Sequence, residues 1–244
     1  MRLTRVHVEQ PLAVGMQLDL PEEAAAHLSR VLRLRQGDAC VLFNGDGHDY
    51  DARLGVVGKR TSQVEITGAR AVETESPLQV TLLQGIARGE KMDLILQKAT
   101  ELGVTAIVPV DSERSEVRLS GERLQKRVSH WRGVVRAACE QSGRARVPDV
   151  REPVAIATAA DYLPADDLRL LLDPIGTQRL TTLVRPASGQ VVIAIGPEGG
   201  WSPRDRQALE GMGFQGLRLG PRVLRTETAG LAAIAAVQAL LGDL

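Results

Sequence analysis

Gly196-Pro197-Glu198-Gly199-Gly200-Trp201 and Leu219-Gly220-Pro221-Arg222-Val223-Leu224-Arg225-Thr226-Glu227-Thr228-Ala229 are the two stretches that decide how this chain is read. The first follows the apolar run Val191–Ile195 and the second follows Phe214–Leu219, both of which read as strands. In open parallel α/β sheets, ligands bind beyond the C-terminal ends of the strands. The glycines of the first loop allow close approach of backbone to a ligand, Pro197 stiffens the turn, and Glu198 adds a carboxylate. A plain tight turn would also account for those glycines. The loop has neither Gly-x-Gly-x-x-Gly nor Gly-Lys-Ser/Thr, so it is not a dinucleotide fingerprint or a phosphate loop. In the second stretch, Thr226 is expected to cap a helix over Glu227–Leu241, and Glu227 suits the positive end of that helix. Cations are disfavoured at a helix N-terminus, so Arg222 and Arg225 point to an anionic partner.

Working outward, Ser202-Pro203 starts a helix as N-cap and first residue. Leu168–Leu172 is a buried-type strand. Ser120 caps a helix to about Gln141, with Leu124, Val128, Trp131, Val135 and Ala138 on one face. Thr105–Val110 and Leu78–Ile86 are strands. Between them Glu90–Leu102 places Met92, Ile95, Leu96, Ala99 and Leu102 at helical spacing, and Gly103 stands at the C-cap. Alternating strands and helices predict an α/β fold, a mainly parallel sheet with helices on both faces. The polar stretch Glu73–Pro77 marks a boundary, giving domains over residues 1–72 and 73–244. The first domain is β-rich. Val6-x-Val8, Ala39–Phe43, Asp51–Val57 and Gln63–Ile66 read as strands, with turns at Asn44–Gly47 and Gly58-Lys59 and one helix over Pro21–Leu32. That pattern suggests a small β-barrel.

The 244 residues suffice for a sizeable core. Aromatic residues are only 2%, which weighs against holding single strands by stacking bases on rings. Net charge is zero, so overall charge does not advertise a nucleic-acid binder. Locally, Ser112–Arg151 carries ten basic residues against five acidic ones, which fits either a solvated helix face or an RNA path. Cys40 and Cys139 lack partners at metal spacing, His27 and His48 are lone histidines, and no metal site is expected. With no disulfide framework expected, a reducing cytoplasm fits; the start MRLTRVHVEQ has no apolar signal core, and Leu231–Leu241 is too short for a membrane span.

Taken together, GPEGGW and LGPRVLRTETA resemble the SPOUT-class RNA methyltransferases, and most closely the bacterial enzymes that methylate N3 of a uridine in 16S ribosomal RNA. The resemblance spans essentially the whole chain. It extends to His27-Leu28-x-x-Val31-Leu32-Arg33, Phe43-Asn44-Gly45, Lys98-x-Thr100-Glu101-Leu102-Gly103, Ser112-Glu113-Arg114-Ser115 and Glu140-Gln141-Ser142-Gly143-Arg144. It implies a C-terminal trefoil knot, a PUA-like N-terminal barrel that binds RNA, and a homodimer acting on the 30S subunit or its RNA. It also implies S-adenosyl-L-methionine as cofactor. That cofactor would be held by Ile195, Gly196, Pro197, Glu198, Gly199 and Gly200, by Leu219, Gly220, Arg222, Val223 and Leu224, and by Thr228 and Ala229.

Methylation of uridine N3 requires removal of its proton. Glu198 and Glu227 are the candidate bases, and Arg225, Arg222 and Arg144 the candidate stabilisers of the resulting anion. Capping remains the alternative role for Glu227. Arg5, Arg30, Arg33, Arg114, Arg136 and Arg144 are expected to contact RNA phosphates. Gly199→Val is expected to place bulk where the cofactor approaches. Two rival readings stand beside this one: a knotted methyltransferase acting on transfer RNA or ribose 2′-hydroxyls, and a non-catalytic ribosome-assembly protein that binds RNA.

Overall fold

The structure, a computed structural model, describes residues 3–58, 61–165 and 167–244. Lys59, placed by sequence in a turn, lies outside the described residues. The chain divides into two compact units. One comprises Met1–Glu75 with Cys139–Val147, and the other Ser76–Ala138 with Pro148–Leu244.

The first unit contains β1 (Arg5–His7), β2 (Gln17–Asp19), α1 (Glu22–Ala26), β3 (Ala39–Phe43), β4 (His48–Val57) and β5 (Ser62–Ala71). After α1 the chain makes a π-helical turn over His27–Val31, so the single helix expected over Pro21–Leu32 is two short pieces. The strands form one sheet in the order β1-β3-β4-β5-β2, with β1 parallel to β3 and the remaining pairs antiparallel. Period-2 alternation sets the faces: in β5, Ser62, Val64 and Ile66 are buried while Gln63, Glu65 and Thr67 are exposed. Val6 and Val8 from one edge and Leu18 and Leu20 from the other join the same core as Ala25 and Leu28. The sheet is therefore rolled around a single core that α1 and the following turn close.

Cys139–Val147 belongs to this unit through polar contacts. Arg5 pairs with Asp49 at 2.9 Å and donates to the carbonyls of Gly143 at 2.6 Å and Arg144 at 2.9 Å. The Arg144 Nε donates to Glu75 at 3.1 Å, and Glu140 accepts the His7 N–H at 2.9 Å. Arg5 and Arg144 are both buried.

The second unit contains β6 (Gln79–Gly85), α2 (Glu90–Glu101), β7 (Val104–Asp111) and α3 (Gly121–Ser142), whose last turn lies in the first unit. It continues with β8 (Asp149–Val150), β9 (Val154–Ala155), β10 (Leu168–Leu172), β11 (Gln178–Arg179) and β12 (Gln190–Ile195). It ends with α4 (Pro203–Gly211), β13 (Gln215–Arg218) and α5 (Thr226–Leu241). The strand order is β11-β13-β10-β12-β6-β7-β8, with β9 also on β7. Every strand pair in this sheet, among the described residues, is parallel.

The central strands are buried along nearly their whole length, as a sheet covered on both faces requires. Adjacent residues of a strand face opposite sides. Ala194 shares a core with Leu209 of α4, while a Cβ on Gly230 of α5 would touch Ile195 at 3.5 Å. The helices α4 and α5 thus cover opposite faces. Val128, Trp131, Val135 and Ala138 of α3 are all buried, so Trp131 is a packing residue.

One connection is unusual. β13 lies between β10 and β11, although β11 follows β10 directly in sequence. The short link between β10 and β11 must therefore cross β13, and it crosses closely: a Cβ on Gly176 would lie 2.4 Å from the Gly216 carbonyl oxygen. Glycine is required where two backbones meet at that distance.

Candidate active site

The Gly196–Trp201 loop leaves the C-terminal end of β12, and the Leu219–Arg225 loop joins β13 to α5. Between them lies a cavity of about 550 Å³. Its lining takes in Ile195 to Trp201, Leu219, Gly220, and Arg222 to Glu227 with Ala229. Of the residues expected around a ligand, Thr228 alone does not line it; it is exposed.

The first loop is built on tight backbone contacts. A Cβ on Gly196 would meet Gly200 and Trp201 backbone atoms at 3.1 Å, and one on Gly85, in β6 below, would meet Pro197 Cδ at 2.5 Å. Gly200 has φ +66° with open space where a Cβ would sit. Ser202 caps α4 in a reciprocal box with Asp205, which ends the loop where the sequence predicted.

Thr226 is not the helix cap. Arg225 occupies that position without a side-chain cap, and Thr226 is the first helical residue. Its hydroxyl donates to the Gly196 carbonyl at 2.6 Å and accepts from Gln84 Nε2 at 3.1 Å. Tertiary partners thus take the place of the backbone N–H that a cap would accept from, and the start of α5 is tied to the Gly196–Trp201 loop at this point. Glu227 makes no capping hydrogen bond either; its Oε2 is buried and has no hydrogen-bond partner among the described residues.

Glu198 is placed differently. Its Oε1 accepts from the Arg88 N–H at 3.1 Å and from Lys91 Nζ at 3.2 Å. Burial pushes its carboxyl up. The N–H groups of Arg88 and of Glu198 itself, with the Lys91 ammonium, outweigh that effect and hold it below the usual carboxylate range. Glu198 is thus a committed anion that tethers the β6–α2 connection to the Gly196–Trp201 loop. Arg222 and Arg225 are exposed at the cavity and, among the described residues, have no hydrogen-bond or ion-pair partner.

The arginines expected on RNA sort into groups. Arg5 and Arg144 are corrected: both are buried and engaged with Asp49, Glu75 and backbone carbonyls, so they are not surface cations. Arg114 is exposed, but its Nη1 donates to the Gly199 carbonyl at 3.1 Å. A Cβ on Gly199 would meet Arg114 Cβ at 3.0 Å. Bulk added by Gly199→Val would therefore press on Arg114. Arg30 and Arg33 are exposed on the first unit, and Arg136 of α3 is half-buried.

Sequence reasoning did not single out Lys91, Leu171–Pro174, Arg206 or Leu217, which also line the cavity. Asp173-Pro174 follows β10 directly, so the rule that ligands sit beyond strand ends could have found it. The Arg206 guanidinium pairs with Asp173 there. Among the described residues no His/Cys/Asp/Glu group could hold a metal, and no helix is long and apolar enough to cross a membrane.

Comparison with known proteins agrees with this architecture. The family model for an RNA methyltransferase domain matches residues 74–238, and that for an RNA methyltransferase PUA domain matches residues 20–67. Ribosomal RNA small subunit methyltransferase E of Buchnera aphidicola subsp. Schizaphis graminum is 30% identical over 243 residues, covering 100% of this chain and 98% of that one. Its namesake from Mycobacterium bovis is 32% identical over 218 residues, covering 88% and 83%. Among solved structures, the Neisseria gonorrhoeae ribosomal RNA small subunit methyltransferase E bound to S-adenosyl methionine superposes with TM-score 0.92 at 42% identity, covering 100% of both chains. A putative methyltransferase of Legionella pneumophila, in complex with the same cofactor, gives 0.95 at 38% identity, again covering 100% of both. The chain belongs to the ribosomal RNA small subunit methyltransferase E family, with an RNA methyltransferase domain preceded by a PUA-like domain.

Proposed function

We propose that this chain transfers the methyl group of S-adenosylmethionine to N3 of a uridine in 16S ribosomal RNA, working in the cytoplasm as a homodimer. The observation that carries the reading is the cavity between the two loops, with a carboxylate oxygen of Glu227 and two arginines on its lining that have no partner among the described residues. The names of the relatives and the cofactor bound by two solved ones support it.

The residues present fit the cofactor. A cavity of about 550 Å³ lies within the roughly 300–1,000 Å³ range of small-molecule sites. Gly200 and Gly220 line it, with open space where each Cβ would be, so bare backbone is available to a ligand. Ile195–Gly200 and Leu219–Leu224, with Ala229, would hold it. When bound, S-adenosylmethionine supplies an electrophilic methyl group.

The chain's own residues supply the rest. Uridine N3 carries its proton at neutral pH, so the site must accept that proton and balance the charge left behind. Glu227 Oε2, buried and without a partner among the described residues, is the acceptor. Arg222 and Arg225 stabilise the uridinate. Glu198 is a poor base because its neighbours favour its ionised form, and its role is to hold the loop. Arg30, Arg33, Arg114 and Arg136 contact RNA phosphates, with the PUA-like unit as an RNA-binding domain. The crossing of β13 by the β10–β11 link supports a trefoil-knotted C-terminal region.

The test is incubation of the protein with methyl-labelled S-adenosylmethionine and either 30S subunits or free 16S RNA, followed by nucleoside mass spectrometry. Label in 3-methyluridine is the expected outcome. Label on a ribose or on transfer RNA would replace the substrate assignment. No label on any RNA would leave a binding protein.

A further inference from the structure

β6 ends in Gln84-Gly85. Gln84 is fully buried and sits abreast of Ile195 in the β6–β12 register. A buried amide is costly unless its groups are hydrogen-bonded. Here Nε2 donates to the Gly85 carbonyl at 2.9 Å and to Thr226 Oγ1 at 3.1 Å, while Oε1 is buried and has no hydrogen-bond partner among the described residues. Thr226 is itself buried and donates its one proton to the Gly196 carbonyl at 2.6 Å.

The direction of this relay is fixed by chemistry. The Gly196 carbonyl can only accept, so the Thr226 proton belongs to it. The Thr226 oxygen must then accept, and of the two ends of the Gln84 amide only the NH₂ can donate. The relay runs from β6, through the first turn of α5, to the first residue of the Gly196–Trp201 loop. Its two later members, Thr226 and Gly196, both line the cavity. Next to it, the missing side chain of Gly85 leaves the space that Pro197 fills. Gln84 is not among the residues lining the cavity. Its side chain bonds to Thr226, which does line the cavity.

We infer that Gln84 and Thr226 are positioning residues that latch the two cofactor loops at their working separation. The inference rests on the proposed function, because the separation matters only if a ligand must touch both loops. A purely structural role would lower stability and leave cofactor affinity in the folded protein unchanged. The latch role moves cofactor affinity and leaves RNA affinity alone.

The test is calorimetric binding of S-adenosylmethionine to the full chain and to four variants: Thr226→Val, Thr226→Ser, Gln84→Met, and Thr226→Val with Gln84→Met. Thr226→Val keeps volume and removes the hydroxyl, so affinity is expected to fall about tenfold. Thr226→Ser keeps the hydroxyl and is expected to recover most of the loss. Gln84→Met should also weaken binding, and the double variant should be no worse than the weaker single, because both interrupt one relay. RNA affinity should not change. The inference is overturned if folded Thr226→Val binds the cofactor like wild type, if Thr226→Ser is as weak as Thr226→Val, or if the two losses simply add. Failure of the wild type itself to bind S-adenosylmethionine would sink the proposed function along with the latch. Normal binding by both wild type and Thr226→Val would sink the latch alone.

Discussion

Gly85→Ala adds one methyl group where the structure has least room for it. The new Cβ would stand 2.5 Å from Pro197 Cδ and 2.6 Å from Pro197 N, against 3.4–4 Å for ordinary contact. One wall of the gap is β6, hydrogen-bonded within the sheet on both sides and unable to retreat. The other is the Gly196–Trp201 loop, which faces the cavity and can move into it. Pro197 must therefore shift by about 1 Å toward the space a ligand would occupy, the scale of misplacement that costs roughly 100-fold where geometry matters. Overpacking of this kind costs about 1–3 kcal/mol. If the cost falls on the loop, it appears as about 5-fold to 150-fold weaker cofactor binding. Titration calorimetry with S-adenosylmethionine reads the affinity, and a thermal melt in the absence of cofactor reads the fold. Weak binding with a melt lowered by only a few degrees is the expected pair. Wild-type affinity in a folded Gly85→Ala protein would show that the position of Pro197 does not govern the site.

Glu198 has a depressed carboxyl pKa in the folded chain, so its stabilising contribution is present above the unfolded value, near 4.5, and is lost as pH falls through the lower folded value. The melting gap between wild type and Glu198→Gln should accordingly be widest near neutrality and close at acid pH below about 4.5; a gap independent of pH would remove the tether role. Glu227→Gln keeps the shape and removes the proposed proton acceptor. Turnover at saturating substrate should fall by about 10²–10⁴-fold with cofactor affinity nearly unchanged, and a variant with full turnover would exonerate Glu227. Arg5→Leu strands the Gly143 and Arg144 carbonyls and leaves Asp49, among the described residues, with the half-exposed Arg70, 2.9 Å away. Urea unfolding should show a loss near the lower end of about 3–5 kcal/mol, and a loss below about 1 kcal/mol would contradict a buried anchor. Arg33→Ala, by contrast, should leave the melt unchanged and flatten the salt dependence of RNA binding; an unchanged salt slope would take Arg33 off the RNA path.

Features carried by local pattern were legible in the sequence. The apolar runs that became β6, β10 and β12, the amphipathic stretches of α2 and α3, and the Ser202-Pro203 start of α4 each depend on residues within one or two turns of each other. The glycine loops after two strands were legible because a strand end is where a parallel sheet binds ligands. What escaped depends on partners far along the chain. Nothing in Cys139–Val147 shows that it packs with the first unit, because the residues that hold it are Arg5, His7 and Glu75. β8, β9 and β11 are two residues each, too short for any periodicity. Gln84 did leave a trace, as an isolated amide at the end of an apolar strand.

The arginines show most clearly what charge in a sequence can and cannot say. Arg5 and Arg144 look no different on the page from Arg222 and Arg225, since each is a guanidinium near polar neighbours. The distinction is whether folding supplies an acceptor. For Arg5, Arg144 and Arg114 it does, with Asp49, Glu75 and the Gly199 carbonyl. Arg222 and Arg225 come just before a helix N-terminus, whose bare N–H groups repel cations. The chemistry of a helix start thus picks out, without the fold, the two cavity arginines for which, among the described residues, folding provides no partner. An arginine that folding leaves unpaired beside a cavity has its acceptor still to come, and a uridine losing its N3 proton in that cavity would be one.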